Sequence, residues 1–302
     1  MIDGFAESRV EQVDKAVALV SHFLIFPECN MINKAKVKKS FTAHALSYDQ
    51  SAHLQQKVAG EVVDQVKTLG LHPAHVLDVG TGTGYIALAL QKLFAAATIQ
   101  ACDIAFGMLI VAQAKAQGLF CTCPDFINAD AEVLPYREER FDLVISSLTY
   151  QWLDDWRGAF REANRVLRPG GIFLFTTLGS KTLFELKDSY TRSFRAAGTS
   201  GTPHLHTFIE GAALQRTLSE EGFPDSTVRS RCEREYHRSV KDLLLDLRAI
   251  GAQNASLPDP VGLGKPKVLR RMIDIYEGHY GDGLSIPATY ELLFALGKKG
   301  AL

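Results

Sequence analysis

The sequence of 302 residues predicts an α/β fold, a mostly parallel sheet with helices on both faces. Three observations carry this. Short apolar runs recur along the chain at 75–79, 98–103 and 141–147, the first followed by Gly80 and the others closed by Asp103 and Ser147. Each is followed by a stretch of helical spacing, and repeated β-α units build parallel sheets through right-handed crossovers. The first run feeds directly into Gly80, Gly82 and Gly84, and a helical pattern opens at once after them.

Composition sets the outer bounds. Hydrophobic residues make up 46% and charged residues 22%, an ordinary globular balance with enough apolar sequence for a sizeable core. Wholesale disorder, a collagen-like fibre and a disulfide mini-scaffold are excluded on that ground. Lys and Arg total 33 against 34 Asp and Glu, a net charge of -1, which is not the balance of a dedicated nucleic-acid binder. Five Cys, odd in number and unclustered, point to a reducing compartment. Cys121 and Cys123 form a lone C-x-C with no second pair, so no metal site is expected. The nearest approach to a membrane span, 16–26, is short of the roughly 20 residues needed and contains His22. It follows a mixed-charge segment rather than a basic one, so a signal peptide is not expected either. The expectation is a cytoplasmic protein with no membrane contact.

The elements are read in order. Residues 1–30 read as an amphipathic helix with a stop at Pro27, expected to be an accessory extension, and Met31 would serve as an alternative start. A buried strand spans 75–79, a helix 85–94, a strand 98–103, and a helix 106–117 ended by Gly118. A weak strand at 124–127 and a stronger one at 141–147 follow. Trp156, Phe160, Ala163 and Leu167 share a helix face, and the turn Arg168-Pro169-Gly170-Gly171 stops that helix before a strand at 172–178. The last third reads as helices at 181–194 and 208–221, a strand at 226–236, helices at 241–252 and 268–280, and a final strand at 289–296. The loop 256–265, with two Pro and two Gly, belongs on the surface.

The glycine loop carries the chemistry. Glycine lets the backbone turn tightly and approach a ligand without a Cβ in the way. The dinucleotide pattern G-x-G-x-x-G fails from Gly80, because its third glycine falls on Tyr85. From Gly82 it is tolerable, with Ala87 in the last place. Asp78 lies two residues before the first glycine and is expected to face the ligand. A carboxylate there suits a ligand with an ammonium group and hydroxyls better than a pyrophosphate.

This stretch, VLDVGTGTGY, resembles the class I S-adenosylmethionine-dependent methyltransferases. The other marks of that class follow in order. Asp103 ends the second strand 19 residues after Gly84, Asp130 and Ala131 follow the third, Phe141-Asp142-Leu143-Val144 opens the fourth and Ser147 closes it, and VLRPGGIFLF turns into the fifth. The resemblance implies a Rossmann-like seven-stranded sheet with its last strand antiparallel and a helical lid. It implies that Asp78, Gly80, Gly82 and Gly84 shape the cofactor loop. Asp103 would accept both ribose hydroxyls, Asp130 and Ala131 would meet the adenine amine, Ile104 and Met108 would pack on the adenine, and Ser147 would contact the methionine end.

The flanks resemble one family in particular, the malonyl-acyl-carrier-protein O-methyltransferases of biotin synthesis. The matching stretches are SFTAHALSYDQSAHLQ, LTYQWLDDW, FTTLGSKTLFELKDSY, LRAIGAQNA and PATYELLFAL. Better-known members carry G-C-G-P-G in the loop where this chain has G-T-G-T-G. The resemblance implies a methyltransferase domain over 31–302, with lid helices at 36–70 and 181–222 and an insert at 237–286. It implies methylation of the free carboxylate of a malonyl thioester on acyl-carrier protein. Tyr48 corresponds to a lid tyrosine, and Gln151 and Trp152 lie where substrate meets methyl group. Arg192 or Arg195 would pair with the malonyl group. Carrier proteins are acidic, so Lys34, Lys36, Lys38 and Lys39, or Lys265, Lys267, Arg270 and Arg271, would form the docking face. A quinone, another small acid or a protein acceptor, a methyltransferase-fold assembly factor or hydroxylase, and a nicotinamide-binding oxidoreductase stand as alternatives.

Overall fold

The strands β1 (His75–Val79), β2 (Thr98–Asp103), β3 (Asp125–Asn128), β4 (Phe141–Ser147), β5 (Leu167–Leu178), β6 (Thr227–His237) and β7 (Ile286–Lys298) form one sheet. Their order is β3-β2-β1-β4-β5-β7-β6. Neighbours from β3 to β5 pair in parallel, and β7 runs antiparallel to both β5 and β6. The computed structural model describes residues 32–117, 119, 123–197, 207–252 and 266–300. The expectations placed on residues 1–30, Met31, Gly118, Cys121, Lys265 and the loop 256–265 lie outside the described residues.

Strand parity explains why the sheet is covered twice. In β1, Leu77 and Val79 enter one core while Val76 enters another. In β4, Val144 faces the first core and Leu143 and Ile145 the second. Strands apolar on both faces belong in a parallel sheet with helices on either side. The first face carries α6 (Trp156–Val166) and α8 (Gly211–Glu220), with Phe160, Ala163, Leu214 and Leu218 packed on Phe173, Phe175 and Leu293. The second carries α3 (His53–Thr68) and α4 (Tyr85–Leu93) through Val62, Val66, Ile86 and Leu90. The segment read as a 36–70 lid therefore divides. Only α1 (Lys34–His44) and α2 (Tyr48–Ser51) reach over the strand ends, together with the start of α3.

One boundary differs from the sequence reading. Arg168-Pro169-Gly170-Gly171 does not separate helix from strand, because β5 already starts at Leu167. The turn is absorbed as an irregularity in the β4–β5 register between Phe141 and Leu143. Arg168 Nη1 on Asp142 Oδ1 at 2.6 Å and Gly170 at φ 76° hold it there.

The carboxyl-terminal hairpin supports a cap. Strand β7 pairs with β5 only from Leu292 onward, whereas its first half pairs with β6 alone. This overhang carries α7 (Phe184–Ala196), α9 (Val240–Ala249) and α10 (Pro266–Tyr280), joined in a third core around Leu186, Tyr190, Leu243, Met272 and Tyr276. Glu185, 1% exposed, fastens α7 to the overhang by accepting from the Thr289 hydroxyl and from the Thr289 amide at 3.2 Å. Replacing Glu185 by Ala strands both donors inside the protein. The expected loss is about 2–4 kcal/mol in denaturant unfolding, with Glu185→Gln recovering part of it. A loss below about 0.5 kcal/mol in the Ala variant would show that the tether carries nothing.

Candidate active site

Ligands of open α/β sheets sit at the carboxyl ends of the strands where the strand order reverses. Here the reversal falls between β1 and β4, and a cavity of about 210 Å³ opens there. Its floor is the glycine loop and the ends of β2, β3 and β4, and its roof is α1, α2 and the cap.

All three loop glycines are left-handed, with φ of 69°, 55° and 87° at Gly80, Gly82 and Gly84. Space divides them further. A Cβ on Gly80 would lie 2.2 Å from the Thr149 side chain, and one on Gly84 would lie 2.9 Å from Ala112 Cβ. Gly82 has nothing near it and faces the cavity, so its bare backbone is what a ligand would meet. The loop is closed by bonds from Gly80 and Thr81 N–H to the Cys102 carbonyl, at 2.8 and 3.0 Å.

Two carboxylates hold this loop. Asp103 accepts from the Gly82 amide at 2.9 Å and from the Ala105 amide at 2.7 Å. Burial raises its pKa, against those two bonds. Each oxygen keeps a further lone pair for a ligand hydroxyl. Asp78 is the correction to the sequence reading. Its carboxylate does not line the cavity. It lies under the loop, 1% exposed, where it accepts from the Thr81 hydroxyl at 2.7 Å and the Ala87 amide at 3.2 Å. Gly84 likewise packs on α5 (Phe106–Ala116) rather than lining the cavity.

The structure brings the remaining expected residues together. Gly80, Gly82, Asp103, Ile104, Met108, Asp130, Ala131, Ser147, Tyr48, Gln151 and Trp152 all line the one cavity. Burial, then the charges of Asp103 and Asp49, push the Tyr48 hydroxyl upward, so it stays a neutral donor. Trp152 packs edge-on against Phe41 at 5.5 Å and shares a small core with Ile32 and Val37. The Gln151 amide is engaged at both ends, donating to the Leu148 carbonyl at 2.6 Å and accepting from the Thr177 hydroxyl at 3.2 Å. These are the contacts of a shaped wall.

Several functional features were beyond the sequence reading. Asp49 accepts from the Thr83 hydroxyl at 2.6 Å and pairs with Lys115, tying α2 to the glycine loop. Lys34, expected on a docking face, turns inward to Asp130 at 2.6 Å and Glu132 at 2.7 Å. Burial alone would lower its pKa, but those two acids raise it. Leu148 and Leu183 line the cavity with φ of 49° and 53°, a conformation that L side chains rarely adopt and that clusters at functional sites. Arg192 and Arg195 do not line the cavity: both are exposed, and Arg192 bonds to Asp188 at 3.4 Å. The cap instead presents Lys187, whose pKa burial lowers to about 8.

Acids with lone pairs to spare, apolar walls and a bare glycine backbone in one cavity fit a nucleoside with a charged tail. The site and fold define a methyltransferase of the S-adenosylmethionine-dependent class. Residues 77–175 match the family model described as "Methyltransferase domain". Solved structures share the fold, among them the YcgJ protein of Bacillus subtilis at TM-score 0.56 and 19% identity, covering 80% of this chain and 100% of that one. Phosphoethanolamine N-methyltransferase 2 of Haemonchus contortus, solved with S-adenosyl-L-methionine, aligns at TM-score 0.50 and 17% identity over 80% of this chain and 53% of that one. The malonyl-acyl-carrier-protein O-methyltransferase of Geobacter sulfurreducens is 36% identical over 89% of this chain and 100% of its own. The enzyme of that name from Halorhodospira halophila is 33% identical over 88% of each chain. The chain belongs to the malonyl-acyl-carrier-protein O-methyltransferase family.

Burial raises the Asp78 pKa to about 7, above the ordinary unfolded value near 4. The stability this group contributes is therefore full below about pH 4 and is lost as pH rises through 7. Asp78→Asn does not titrate. The wild-type advantage over Asp78→Asn, read by thermal unfolding, is expected to shrink from pH 5 to 8 by up to about 1.4 kcal/mol per unit and then level. A difference that does not change with pH would contradict this.

Proposed function

We propose that this enzyme transfers the methyl group of S-adenosylmethionine to the free carboxylate of a malonyl thioester borne on acyl-carrier protein. One observation carries the reading. A single cavity joins the acid-lined loop end, at Asp103 and Asp130, to an apolar cap end at Leu178, Leu183, Leu186 and Leu247. The names of the relatives supply the acceptor, and the apolar arm suits a thioester chain entering from the cap.

When bound, the cofactor supplies an electrophilic methyl group on a positively charged sulfur. The residues assigned to hold it are Gly80 and Gly82 through their backbone, Asp103 through the ribose hydroxyls, and Asp130 and Ala131 at the base. Ile104 and Met108 flank the base, and Ser147 stands at the methionine end. Tyr48, Phe41 and Trp152 close the roof and exclude water. A malonyl carboxylate has an ordinary pKa near 4 and is ionised at neutral pH, so no residue has to remove a proton. Positioning then carries the catalysis, with about 7–11 kcal/mol available from holding two reactants in line.

The first test is mass spectrometry of malonyl-carrier protein incubated with the enzyme and S-adenosylmethionine. A gain of one methyl group is expected, absent with acetyl-carrier protein and abolished in Asp103→Ala. No gain, with cofactor binding intact by calorimetry, would discard the acceptor.

The carrier protein is the proposed partner, and exposed cations are its proposed dock. Lys267, Arg270 and Arg271 are exposed on α10, and Lys36, Lys38 and Lys39 are exposed on α1. Reversing Arg270 and Arg271 together to Glu is expected to raise KM for the carrier-bound substrate about tenfold at low salt, while cofactor affinity holds. Unchanged KM at low salt would remove α10 from the docking face.

A further inference from the structure

We infer that Lys187 is the counter-ion that receives the free carboxylate of the substrate, an assignment that rests on the function proposed above. Two cations line the cavity among its described residues, Lys34 and Lys187. Lys34 is already neutralised by Asp130 and Glu132. Lys187 forms no ion pair with a described residue. Its ammonium lies 4.6 Å above the Phe208 ring, a weak substitute for a carboxylate.

Helix geometry places it. Leu186 and Lys187 lie in the first turn of α7 and Leu183 is the residue that opens it, and all three line the cavity. The Glu185 tether to Thr289 fixes that turn toward the cavity rather than toward solvent. Lys187 is half-buried, and holding an ammonium partly out of water with no carboxylate partner carries a cost that a bound anion would offset. Burial alone accounts for the lowered pKa of this lysine, with no opposing acid nearby. The two acids of the cavity, Asp103 and Asp130, belong to the loop end and would repel a substrate anion. The one cation left unneutralised for a carboxylate among the described residues of the cavity is therefore Lys187, on the wall that the cap contributes.

The test is steady-state kinetics of wild type, Lys187→Met and Lys187→Arg with malonyl-carrier protein, alongside cofactor affinity by calorimetry and thermal unfolding. Lys187→Met is expected to raise KM about tenfold to hundredfold, the range for losing a charge-assisted hydrogen bond. Cofactor affinity should stay within about twofold, and the melting temperature should hold or rise because a desolvated charge has gone. Lys187→Arg should recover most of the KM. A KM for Lys187→Met within about twofold of wild type would overturn the assignment while leaving the reaction standing. Cofactor affinity falling in step with turnover would overturn it as well, by showing a structural role. Wild-type enzyme that methylates no malonyl-carrier protein would defeat the proposed function, and this assignment with it.

Discussion

Two carboxylates, Asp78 buried beneath it and Asp103 half-buried at the cavity floor, hold the glycine loop, and the rest of the site is placed from that loop. The loop pairs its own Gly84 amide with the Thr81 carbonyl at 2.9 Å, but with left-handed glycines at alternate positions it needs outside acceptors for the amides of Gly80, Thr81 and Gly82. Asp103 takes the Gly82 amide, and Asp78 takes the Thr81 hydroxyl and one first-turn amide of α4, that of Ala87. Both acids give up hydration to do so, and burial drives both pKa values upward. The hold extends outward. Thr83 reaches Asp49, Asp49 reaches Lys115, and Tyr48 sits one residue before Asp49. The roof tyrosine is thus positioned by the same loop that forms the floor.

The cap is placed by a different device, the length mismatch between β7 and β5. The half of β7 that outruns β5 offers a rigid ledge with backbone groups still to pair. Gly179 and Leu183 use it, donating to the Glu291 and Thr289 carbonyls at 2.7 Å each. Leu183 is bent into a left-handed conformation to make its bond and at once opens α7. That strain costs of order 1–3 kcal/mol and persists only because the ledge over-determines the turn. What it secures is the rotational setting of α7, and so which of its side chains face the cavity.

Most of the sheet was legible in the sequence because its central strands, β1 and β4, are buried on both faces and end in residues that cannot continue them. The runs 98–103 and 141–147 match the observed strands to the residue. Strand β5 was shortened in the reading because Pro169 and Gly170 look like breakers, yet at the strand's outer end the chain bends and still pairs. The misplaced carboxylate was legible too. Leu77 and Val79 share one face of β1, so parity puts Asp78 on the other, under α4 rather than in the cavity. The cation in the cap was harder. In α7 the stripe 188, 192, 195 is solvent-facing, with Asp188 and Arg192 paired along it, whereas Leu186 and Tyr190 mark the buried stripe that Lys187 borders. An Arg looks like the better carboxylate binder by type, but orientation decides, and orientation comes from the ledge.

The distribution of charge across the cavity bears on how such a reaction runs. In the proposed chemistry a cation and a carboxylate meet, and both charges disappear into a thioether and an ester. Charge is therefore already partly dispersed in the transition state. Only interactions stronger there than in the ground state accelerate the step, so a site that solvated both charges fully would slow it. The structure stops short of that. The acids at the loop end are committed to backbone amides and to Lys34, with lone pairs left for hydroxyls rather than for a sulfonium. On the cap wall a single ammonium, its pKa lowered to about 8 by burial, meets the carboxylate. That is enough to choose and aim an anion without stabilising it as water does. Once the ester forms, the charge that held the acceptor is gone, and the same lysine that favours the acid no longer favours the product.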